Sequence, residues 1–545
     1  MDGWIKIISA IWLVGTWIRV YRQARFYQIE EYMSLRYLRW IAARRDRWLP
    51  TRPALAWLFG GAMLMILTEA PGSFMPAVIG VIASVAGVIP PSEGEIKKKF
   101  RPTPRAKRLL GAAFGVSLMI GLAATAGLAG LEMSGDFALI AALTLGAGLL
   151  LLAPVWLVIG NLLMMPVEAL LRRRFIAQAR SVLAELRPHV IGITGSYGKT
   201  STKTYLAHIL NGRFRAYPTP KSYNTLMGLC LAINTDLADD RSIEYFIAEM
   251  GAYIPGEIER ICELVHPRIG VIVEVGPQHL ERFGSLDNIA IAKYELIKAL
   301  PPDGVGVFNW DNPYVRAMME RGHPAVRIGV SRECAPTDPN APRYVASNVT
   351  ESLDGLRFMV TDTESGEHVE FVTPLLGLHN VTNILLATAV AVHEGMRLRE
   401  VAARVRTLQP AESRLVRQIL PEGITIINDA YSANPVGIVH ALRVLSMHQT
   451  GRRVLITPGM VELGALMEQE NRKLGEIAAQ HATDVLLVGR SQAPPIRAGL
   501  MSAGFPADRV QTVETLSEAV EWYRRNLKAG DTVLFLNDLP DTYSS

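Results

Sequence analysis

Long apolar runs fill the first third of this 545-residue chain and then stop. They cover residues 4–20, 54–67, 74–89, 109–131 and 137–165. A helix that crosses a bilayer needs about 20 apolar residues, and the last two runs reach this length. The second and third runs are shorter and predict a tight transmembrane hairpin or a re-entrant pair. We therefore predict an α-helical membrane domain of about five spans over residues 1–170.

Basic residues are concentrated in two of the connections between these runs. Nine arginines lie between Arg19 and Arg52, and seven basic residues lie between Lys97 and Arg108. Loops rich in Lys and Arg stay in the cytoplasm, so we expect a multi-pass protein of the inner (cytoplasmic) membrane with its later domains in the cytoplasm. The basic loops fit topology alone, and they also fit binding to an anionic membrane lipid or a lipid-linked substrate.

Short apolar strands alternate with helical patterns from about Leu183 onward, which is typical of βαβ units and a parallel sheet. The predicted strands cover residues 190–194, 245–248, 271–275, 424–427, 454–457, 485–488 and 533–536. Residues 343–373 predict a small antiparallel insertion. The fold class is therefore α-helical membrane domain followed by α/β, with a central phosphate-loop ATPase domain over 171–408 and a smaller Rossmann-like domain over 409–545.

Composition narrows the class of protein further. Apolar residues make up 49% of the chain, charged residues 20%, and the net charge is +5, which excludes disorder for the bulk of the chain. Cys230, Cys262 and Cys334 lie far apart without metal-type spacing, so neither a disulfide framework nor a cysteine zinc site is expected. The working part belongs in a reducing compartment, and we expect no nucleic-acid partner.

The segment from Gly192 to Thr202, G-I-T-G-S-Y-G-K-T-S-T, carries the most information. A predicted strand leads into a glycine-containing turn and then into a helical pattern, where backbone N–H groups and a helix N-terminus hold polyphosphate. Lys199 would reach the β- and γ-phosphates, and the Thr200 hydroxyl would bind Mg²⁺. The spacing is T-G-S-x-G-K-T rather than the strict GxxxxGK[ST]. The predicted nucleotide-binding residues are Gly195, Ser196, Gly198, Lys199, Thr200 and Ser201.

This loop is similar to that of the Mur ligases, which build peptidoglycan stem peptides by ATP-dependent amide formation. Further segments match the family in chain order: Ser222-Tyr-Asn224, Glu249-Met-Gly-Ala252, Gly276 to Gly284, Ala292 to Glu295, Asn309 to Asp311, Gly377 to Asn383, Arg414 and Asp429 to Pro435. The last, D-x-Y-x-x-N-P, is close to the pattern of the branch that adds D-alanyl-D-alanine. The resemblance implies an ATP-dependent acid–amino-acid ligase of cell-wall synthesis with ATP and Mg²⁺ as cofactors.

The resemblance also implies roles for single residues. Glu249 and His279 would bind magnesium with Thr200, and Lys293 would carry a carbamate that helps hold a second Mg²⁺. Asn309 and Asp429 would lie near the adenine and ribose, and Arg414 near the phosphates when the last domain closes. The implied catalytic residues are Lys199, His279 and Lys293, and the implied substrate contacts are Ser222, Asn224 and Asn434.

Residue type alone gives several of these positions a simpler interpretation. His279 fits a hydrogen-bonded loop residue, and Lys293 fits a solvated helix lysine beside an acid. Asp429 fits a helix cap. Ser222, Asn224 and Asn434 fit turn chemistry.

Some positions depart from the family pattern. Predicted spans occupy the place of the usual UDP-sugar-binding domain. Glu274 and Thr225 stand where asparagine is usual, residues 458–460 read Pro-Gly-Met instead of Gly-Asp-Met, and Asn471 stands where histidine is common. These departures put the acceptor and the incoming amine in doubt and leave the ATP chemistry intact.

Our first hypothesis is a ligase that acts through an acyl phosphate at the cytoplasmic membrane face. Its partners would be a cell-wall peptide precursor, UDP-linked or lipid-linked, and an amino acid or dipeptide. The alternatives are a membrane-anchored ligase of the poly-γ-glutamate type and a non-catalytic membrane scaffold or transporter. The retained C-terminal domain favours the first hypothesis over the polymer ligase.

Overall fold

The computed structural model describes residues 2–30, 32–43, 48–67, 74–90, 100–130, 135–221, 223–431 and 433–537. The chain divides into two compact units, Met1–Arg173 and Arg174–Ser545. The helices that lie wholly or partly in the first unit are Asp2–Ile29, Ser34–Ala42, Thr51–Leu67, Met75–Val88, Pro104–Gly130, Gly135–Leu151 and Ala153–Leu186. Within the described residues, three segments are long and apolar enough to cross a membrane: Gly3–Ile29, Pro104–Leu128 and Ala153–Leu186.

The predicted fifth run is two helices, so the single span expected over residues 137–165 is wrong. The chain breaks between Leu151 and Ala153, where a second helix begins. Pro154 explains the break, because proline has no N–H to donate and its ring crowds the preceding turn. Proline is tolerated in the first turn of the new helix, where that N–H would have no intrahelical partner.

Small residues allow close helix packing in the first unit. Trp12 is fully buried. A Cβ added to Gly87 or Gly146 would approach the Trp12 side chain to 2.6 Å or 2.4 Å. Glycine at both positions therefore makes room for the largest side chain of this core, as small residues do at closely packed helix interfaces.

Nine strands of the described residues form one sheet in the second unit, in the order β2-β3-β1-β4-β5-β6-β7-β8-β9. The strands are β1 His189–Thr194, β2 Ala216–Pro218, β3 Tyr245–Glu249, β4 Ile269–Ile272, β5 Val305–Asn309, β6 Val326–Ser331, β7 Tyr344–Ser352, β8 Gly355–Asp362 and β9 His368–Thr373. In the sheet order, all neighbours from β2 through β1 to β7 pair in parallel. The neighbours β7 and β8, and β8 and β9, pair antiparallel. The predicted antiparallel segment is confirmed, and it extends the main sheet through β6 and β7.

Helices cover both faces of this sheet with two separate apolar cores. The helices are Lys199–Leu210, Leu226–Ala232, Glu257–Val265, Leu280–Phe283, Leu286–Lys298, Pro313–Glu320, His379–His393 and Leu398–Val405, with a π-helical turn at Ile233–Leu237. Strand β1 lies between β3 and β4. The chain places β2 and β3 on one side of β1 and then crosses to β4 on the other side, and such a reversal of strand order is where open parallel sheets bind their ligands.

A second sheet has the order β10-β11-β15-β12-β13-β14 among the described residues. Its strands are β10 Val416–Ile419, β11 Thr425–Asp429, β12 Arg453–Thr457, β13 Asp484–Val488, β14 Val510–Val513 and β15 Thr532–Leu536. All pair in parallel except β10 with β11. The helices Gly437–Ser446, Met467–His481, Ala493–Ser502 and Leu516–Asn526 pack on it. The predicted parallel α/β architecture is confirmed.

Candidate active site

The predicted phosphate loop connects β1 to helix Lys199–Leu210. Gly198 has a φ of 76° and precedes the helix. It has no side chain that could cap the N–H groups of the first helical turn. A Cβ at Gly198 would lie 2.6 Å from Asn383 Oδ1 and 2.7 Å from Val273 Cγ1. Both the left-handed backbone and the close approach require glycine. The uncapped N–H groups at this helix start are suited to an anion.

The side chains of Ser196 and Ser201 in this loop are buried, and that of Thr200 is partly exposed. Ser196 Oγ donates to Gly276 O at 2.9 Å and accepts from Gly276 N at 3.0 Å, so it ties the loop to the segment after β4. Ser201 is buried. Thr200 is partly exposed at the helix start, where its hydroxyl is available to a ligand.

Lys199 folds back over its own loop. Its ammonium donates to Gly195 O at 2.6 Å and to Ser196 O at 3.2 Å. Burial lowers the pKa of Lys199 to about 8, the attraction of Glu249 opposes that shift, and the repulsion of Arg414 adds to it. The charge of Lys199 in turn affects the pKa of Glu249, His279 and Lys293. Lys199 is therefore electrostatically coupled to three of the other predicted site residues.

Glu249, at the end of β3, is held by a lysine that the sequence analysis missed. Lys203 Nζ lies 2.9 Å from Glu249 Oε2, with both side chains almost fully buried. Asn224 Nδ2 donates to Glu249 Oε1 at 3.2 Å. Burial would raise the pKa of Glu249, but Lys203 and Lys199 hold it below its usual value. Asn224 and Lys203 thus fix an ionised carboxylate beside the phosphate loop.

His279 contacts the domain built on the second sheet. Its Nδ1 pairs with the Glu462 carboxylate, which also lies 3.4 Å from Arg282. The imidazole packs edge-on against Tyr253 with ring centroids 4.7 Å apart. Burial lowers the pKa of His279, and Glu462 opposes that shift.

Lys293 is buried in helix Leu286–Lys298, with 3% of the residue exposed. The interpretation as a solvated helix lysine is therefore wrong. Its Nζ lies 5.8 Å from the Phe283 ring centroid. Burial and the charge of Lys199 lower the pKa of Lys293 well below its usual value. The neighbouring Glu295 instead accepts from the N–H groups of Gly256 and Glu259.

Asn309, at the end of β5, is bonded to Glu274. Its Nδ2 donates to Val273 O at 3.0 Å and to Glu274 Oε2 at 3.1 Å. Asn312 Nδ2 donates to the other oxygen of Glu274. Burial raises the pKa of Glu274 to about 7, although Asn312, Arg332 and Asn309 favour the carboxylate. Glu274, noted in the sequence only as a departure, therefore lies beside a predicted nucleotide contact.

Arg414 lies just before β10, and Asp429 ends β11, the strand that pairs with β10. The Arg414 guanidinium stacks 4.2 Å from the Tyr431 ring centroid. Asp429 Oδ1 accepts from Leu415 N at 3.1 Å. Burial raises the pKa of Asp429 to about 6, and Arg414 opposes that shift. The charge of Arg414 also affects the pKa of Lys199, which links the two domains electrostatically.

Asn434, the remaining described substrate candidate, has a structural contact. Asn434 Oδ1 accepts from Gly437 N at 2.8 Å, at the start of helix Gly437–Ser446, which agrees with turn chemistry. Ser222 lies outside the described residues. Asn383 of the G-x-H-N-x-x-N segment accepts from Thr202 at 3.2 Å and donates to Asn380 at 3.1 Å, so it packs its helix against the phosphate-loop helix.

Sequence reasoning missed Lys203, Glu462 and the bonding of Glu274. Lys203 had a weak signal, since it stands one helical turn after Lys199 on the same face. Glu462 had none, because its partner His279 is 183 residues away in the chain. Across the described ranges, no group of three or more His, Cys, Asp or Glu side chains is arranged to hold a metal.

Comparisons with known proteins agree with this geometry. Two family models match, the Mur ligase middle domain over residues 193–391 and the Mur ligase glutamate ligase domain over 414–537. The UDP-N-acetylmuramoyl-tripeptide–D-alanyl-D-alanine ligase of Bacillus subtilis (strain 168) is 29% identical over 358 residues, covering 66% of this chain and 74% of that protein. The enzyme of that name from Mycobacterium tuberculosis (strain H37Rv) is 34% identical over 368 residues, covering 63% and 69%.

Solved structures give the same result. A crystal structure of MurF from Acinetobacter baumannii matches with a TM-score of 0.57 and 25% identity, covering 67% of this chain and 77% of that one. MurF from Thermotoga maritima in complex with ADP matches in fold, with a TM-score of 0.58 and 23% identity over 67% and 80% of the two chains.

A parallel sheet with a glycine turn, an uncapped helix start and a half-buried lysine defines the second unit as a phosphate-loop nucleotide-binding protein. The matched domains then specify the family. The chain belongs to the Mur ligases, and it is an ATP-dependent ligase.

Proposed function

We propose that this protein joins D-alanyl-D-alanine to a muramyl tripeptide precursor at the cytoplasmic face of the membrane. The reaction is that named for its relatives in Bacillus subtilis and Mycobacterium tuberculosis. The observation that carries the proposal is the phosphate loop, in which Lys199 Nζ lies 2.6 Å from Gly195 O, together with the buried Glu249 carboxylate held 2.9 Å from Lys203 on the helix that follows the loop. The proposed parts are a membrane domain over 1–170, a central ATPase over 171–408 and a C-terminal domain over 409–545.

The proposed chemistry has two steps that the site residues serve. An oxygen of the precursor's carboxylate attacks the γ-phosphorus of ATP, and ADP leaves. The amine of the dipeptide then attacks the acyl carbon, loses a proton, and inorganic phosphate leaves. The first step brings anions together, so positive charge and positioning supply most of the rate enhancement. Lys199 supplies charge at the phosphates, Arg414 approaches from the C-terminal domain, and Asn309 and Asp429 border the nucleoside.

The residues present fit a magnesium ion. Mg²⁺ prefers oxygen ligands, and the Thr200 hydroxyl and the Glu249 carboxylate supply them beside the loop. The Lys203 ammonium lies 2.9 Å from Glu249, so this carboxylate already binds one cation in the protein. His279 would be a nitrogen ligand through Nε2, because Nδ1 pairs with Glu462. Bound there, the ion would neutralise charge on the phosphates.

Lys293 is suited to carry a carbamate. A carbamate forms when a neutral amine attacks CO₂ and the nitrogen releases one proton to solvent. Burial and the charge of Lys199 lower the pKa of Lys293, so its neutral amine is accessible. The product is an anion, which the positive charge of Lys199 would stabilise. The carbamate would give the magnesium site the further carboxylate that side chains alone do not provide.

The helices of the first unit support action at a membrane. Three of the described segments have the length and apolar character of spans, and they stand where related ligases have a UDP-sugar-binding domain. We propose that the acceptor is lipid-linked, since an anchored enzyme would meet such a substrate at high local concentration. Ser222, Asn224 and Asn434 are the proposed contacts of the peptide substrates.

The test is phosphate release from ATP by the detergent-solubilised protein with Mg²⁺ and bicarbonate. Lipid-linked and UDP-linked muramyl tripeptides are supplied in separate reactions, each with D-Ala-D-Ala. We expect stimulation and an amide product with the lipid-linked acceptor. Product with only the UDP-linked acceptor would contradict the lipid-linked proposal, and no product with either would contradict the reaction. Lys199→Ala is the inactive control.

A further inference from the structure

Arg105 is the second residue of helix Pro104–Gly130, which contains one of the candidate spans. Its guanidinium lies over the Tyr32 ring, 4.1 Å from the ring centroid. Its Nε is buried, and no acceptor among the described residues bonds to it. The residue as a whole is partly exposed. Arg105 therefore has a donor that the described part of the protein leaves unused, on a side chain that an anion can approach.

The charged residues near Arg105 are paired with one another. Arg108, one helical turn later, donates to the two oxygens of Glu168 at 2.7 Å and 3.0 Å. Arg36 Nε lies 2.5 Å from Glu30 Oε2. Where these arginines have a carboxylate, Arg105 has an aromatic ring. The charge of Arg105 is therefore the one in this group that no described carboxylate balances.

The Tyr32 ring is held in place beneath the guanidinium. Its hydroxyl shares a hydrogen bond of 3.0 Å with Thr103 Oγ1, and Asn161 Nδ2 donates to Tyr32 O at 3.4 Å. The ring also packs edge-on against Tyr27, with centroids 6.0 Å apart. Tyr27 and Asn161 belong to the other two candidate spans. Arg105 thus stacks on a ring that contacts from all three spans, or their ends, position.

The place of this cluster along the spans is the level of lipid headgroups. The candidate span Gly3–Ile29 ends three residues before Tyr32, and the span Pro104–Leu128 begins one residue before Arg105. The connections rich in basic residues leave the spans at this end, and such connections lie on the cytoplasmic side. Tyrosine side chains are enriched at the same level, the interface of membrane and water. The phosphates of lipids in the cytoplasmic leaflet lie at this depth.

We propose that Arg105 binds the phosphate of a membrane lipid. Basic sites between spans on the cytoplasmic side bind anionic headgroups. The guanidinium is suited to this ligand, because it keeps its charge and its planar set of N–H donors matches phosphate oxygens. A phospholipid and the diphosphate of a lipid-linked acceptor share this chemistry. The inference rests on the proposed action at the membrane, and it adds a lipid site to the first unit.

Equilibrium binding of lipids to the full-length protein in nonionic detergent micelles tests the inference. The probes are phosphatidylglycerol, a polyprenyl diphosphate and diacylglycerol, which has acyl chains but no phosphate. We expect binding of a phosphate-bearing lipid and none of diacylglycerol, and the tighter of the two phosphate-bearing probes identifies the source. Arg105→Gln should weaken this binding at least about 10-fold, because it removes a hydrogen bond between charged groups. Arg105→Lys, which keeps the charge without the planar donors, should weaken it less.

Lys107→Gln is the matched control. Lys107 is exposed on the same helix, and its removal deletes the same charge, so lipid binding should stay within about 2-fold. Equal weakening in Arg105→Gln and Lys107→Gln would show attraction by net charge alone and overturn the inference. If Arg105→Gln does not fold, Arg105→Lys decides, since lipid binding as tight as in the unaltered protein would overturn a site that depends on the guanidinium.

Sedimentation of the protein with membranes separates this inference from the proposed function. A protein that does not sediment with membranes would overturn the proposed action at the membrane together with the lipid site. A protein that does sediment with them, but binds neither phosphate-bearing lipid, would overturn the lipid site alone.

Discussion

Lys203 and Glu249 form an ion pair with nitrogen and oxygen 2.9 Å apart, and their side chains are only 3% and 2% exposed. Removing one partner of a buried pair leaves an uncompensated charge, which costs about 3–5 kcal/mol. We expect Lys203→Met to destabilise β3 by this order. Hydrogen exchange of peptides containing β3 measures the change.

The double variant Lys203→Met/Glu249→Gln is the control for that prediction. It removes the stranded charge, so exchange protection of β3 should recover in part even though both partners are gone. Protection as low in the double variant as in Lys203→Met would show that packing, rather than charge, explains the loss.

The steric requirement for glycine at position 198 can be tested against Gly366, a glycine with a similar backbone conformation. Gly198 and Gly366 have φ values of 76° and 74°. A Cβ at Gly198 would meet Asn383 Oδ1 at 2.6 Å, whereas nothing lies within 4 Å of a Cβ at Gly366. Gly198→Ala should reduce ATP affinity more than about 10-fold, because the loop must shift. Gly366→Ala carries only the backbone strain and should leave affinity within about 2-fold, so similar losses in a binding titration would rule out the steric explanation.

Glu274 predicts a pH dependence of stability. Burial raises its pKa to about 7 from 4.5, against the favourable charge of Arg332 and with the repulsion of Asp311. The folded state therefore binds this proton more tightly than the unfolded chain. The contribution of Glu274 is largest below pH 4.5 and is lost as the pH rises to about 7.

Glu274→Gln removes that titration. Its unfolding midpoint, compared with that of the unaltered protein at pH 5.5, 6.5 and 8, should become relatively higher as the pH rises. A difference that stays constant over this range would mean that Glu274 titrates as it does in the unfolded chain.

Arg443 and Glu351 connect the two sheets of the second unit. Glu351, on β7, has a side chain 1% exposed and lies 3.2 Å from Arg443 Nε. It also accepts from Gly377 N at 2.8 Å. Arg443→Met should loosen this connection and speed limited proteolysis within residues 406–415. Arg472→Met, which breaks the exposed pair of Arg472 with Glu476, should leave the rate of proteolysis unchanged. Equally fast cleavage in both variants would contradict the role of Glu351.

The sequence predicted the elements that depend on local pattern. Strand β1, the turn at Gly198 and the position of Lys199 follow from apolar periodicity and glycine spacing. The pairing of Lys203 with Glu249 and the bonding of Glu274 to Asn309 depend on which strands become neighbours, and local pattern does not encode that. Pro154 is a sequence signal for the helix break, but an apolar run that is defined by hydropathy alone does not take proline into account. The burial of Lys293 depends on how its helix packs against the rest of the domain, and local pattern does not encode that packing either.

The contact between His279 and Glu462 joins a loop of the nine-stranded sheet to a segment of the six-stranded one. A cation on Nε2 would polarise the ring and strengthen the bond that Nδ1 makes to Glu462. By thermodynamic reciprocity, an arrangement in which Glu462 reaches His279 must then also bind the cation more tightly. If His279 binds the proposed magnesium ion, ion affinity and domain position would be coupled equilibria, and each would report on the other.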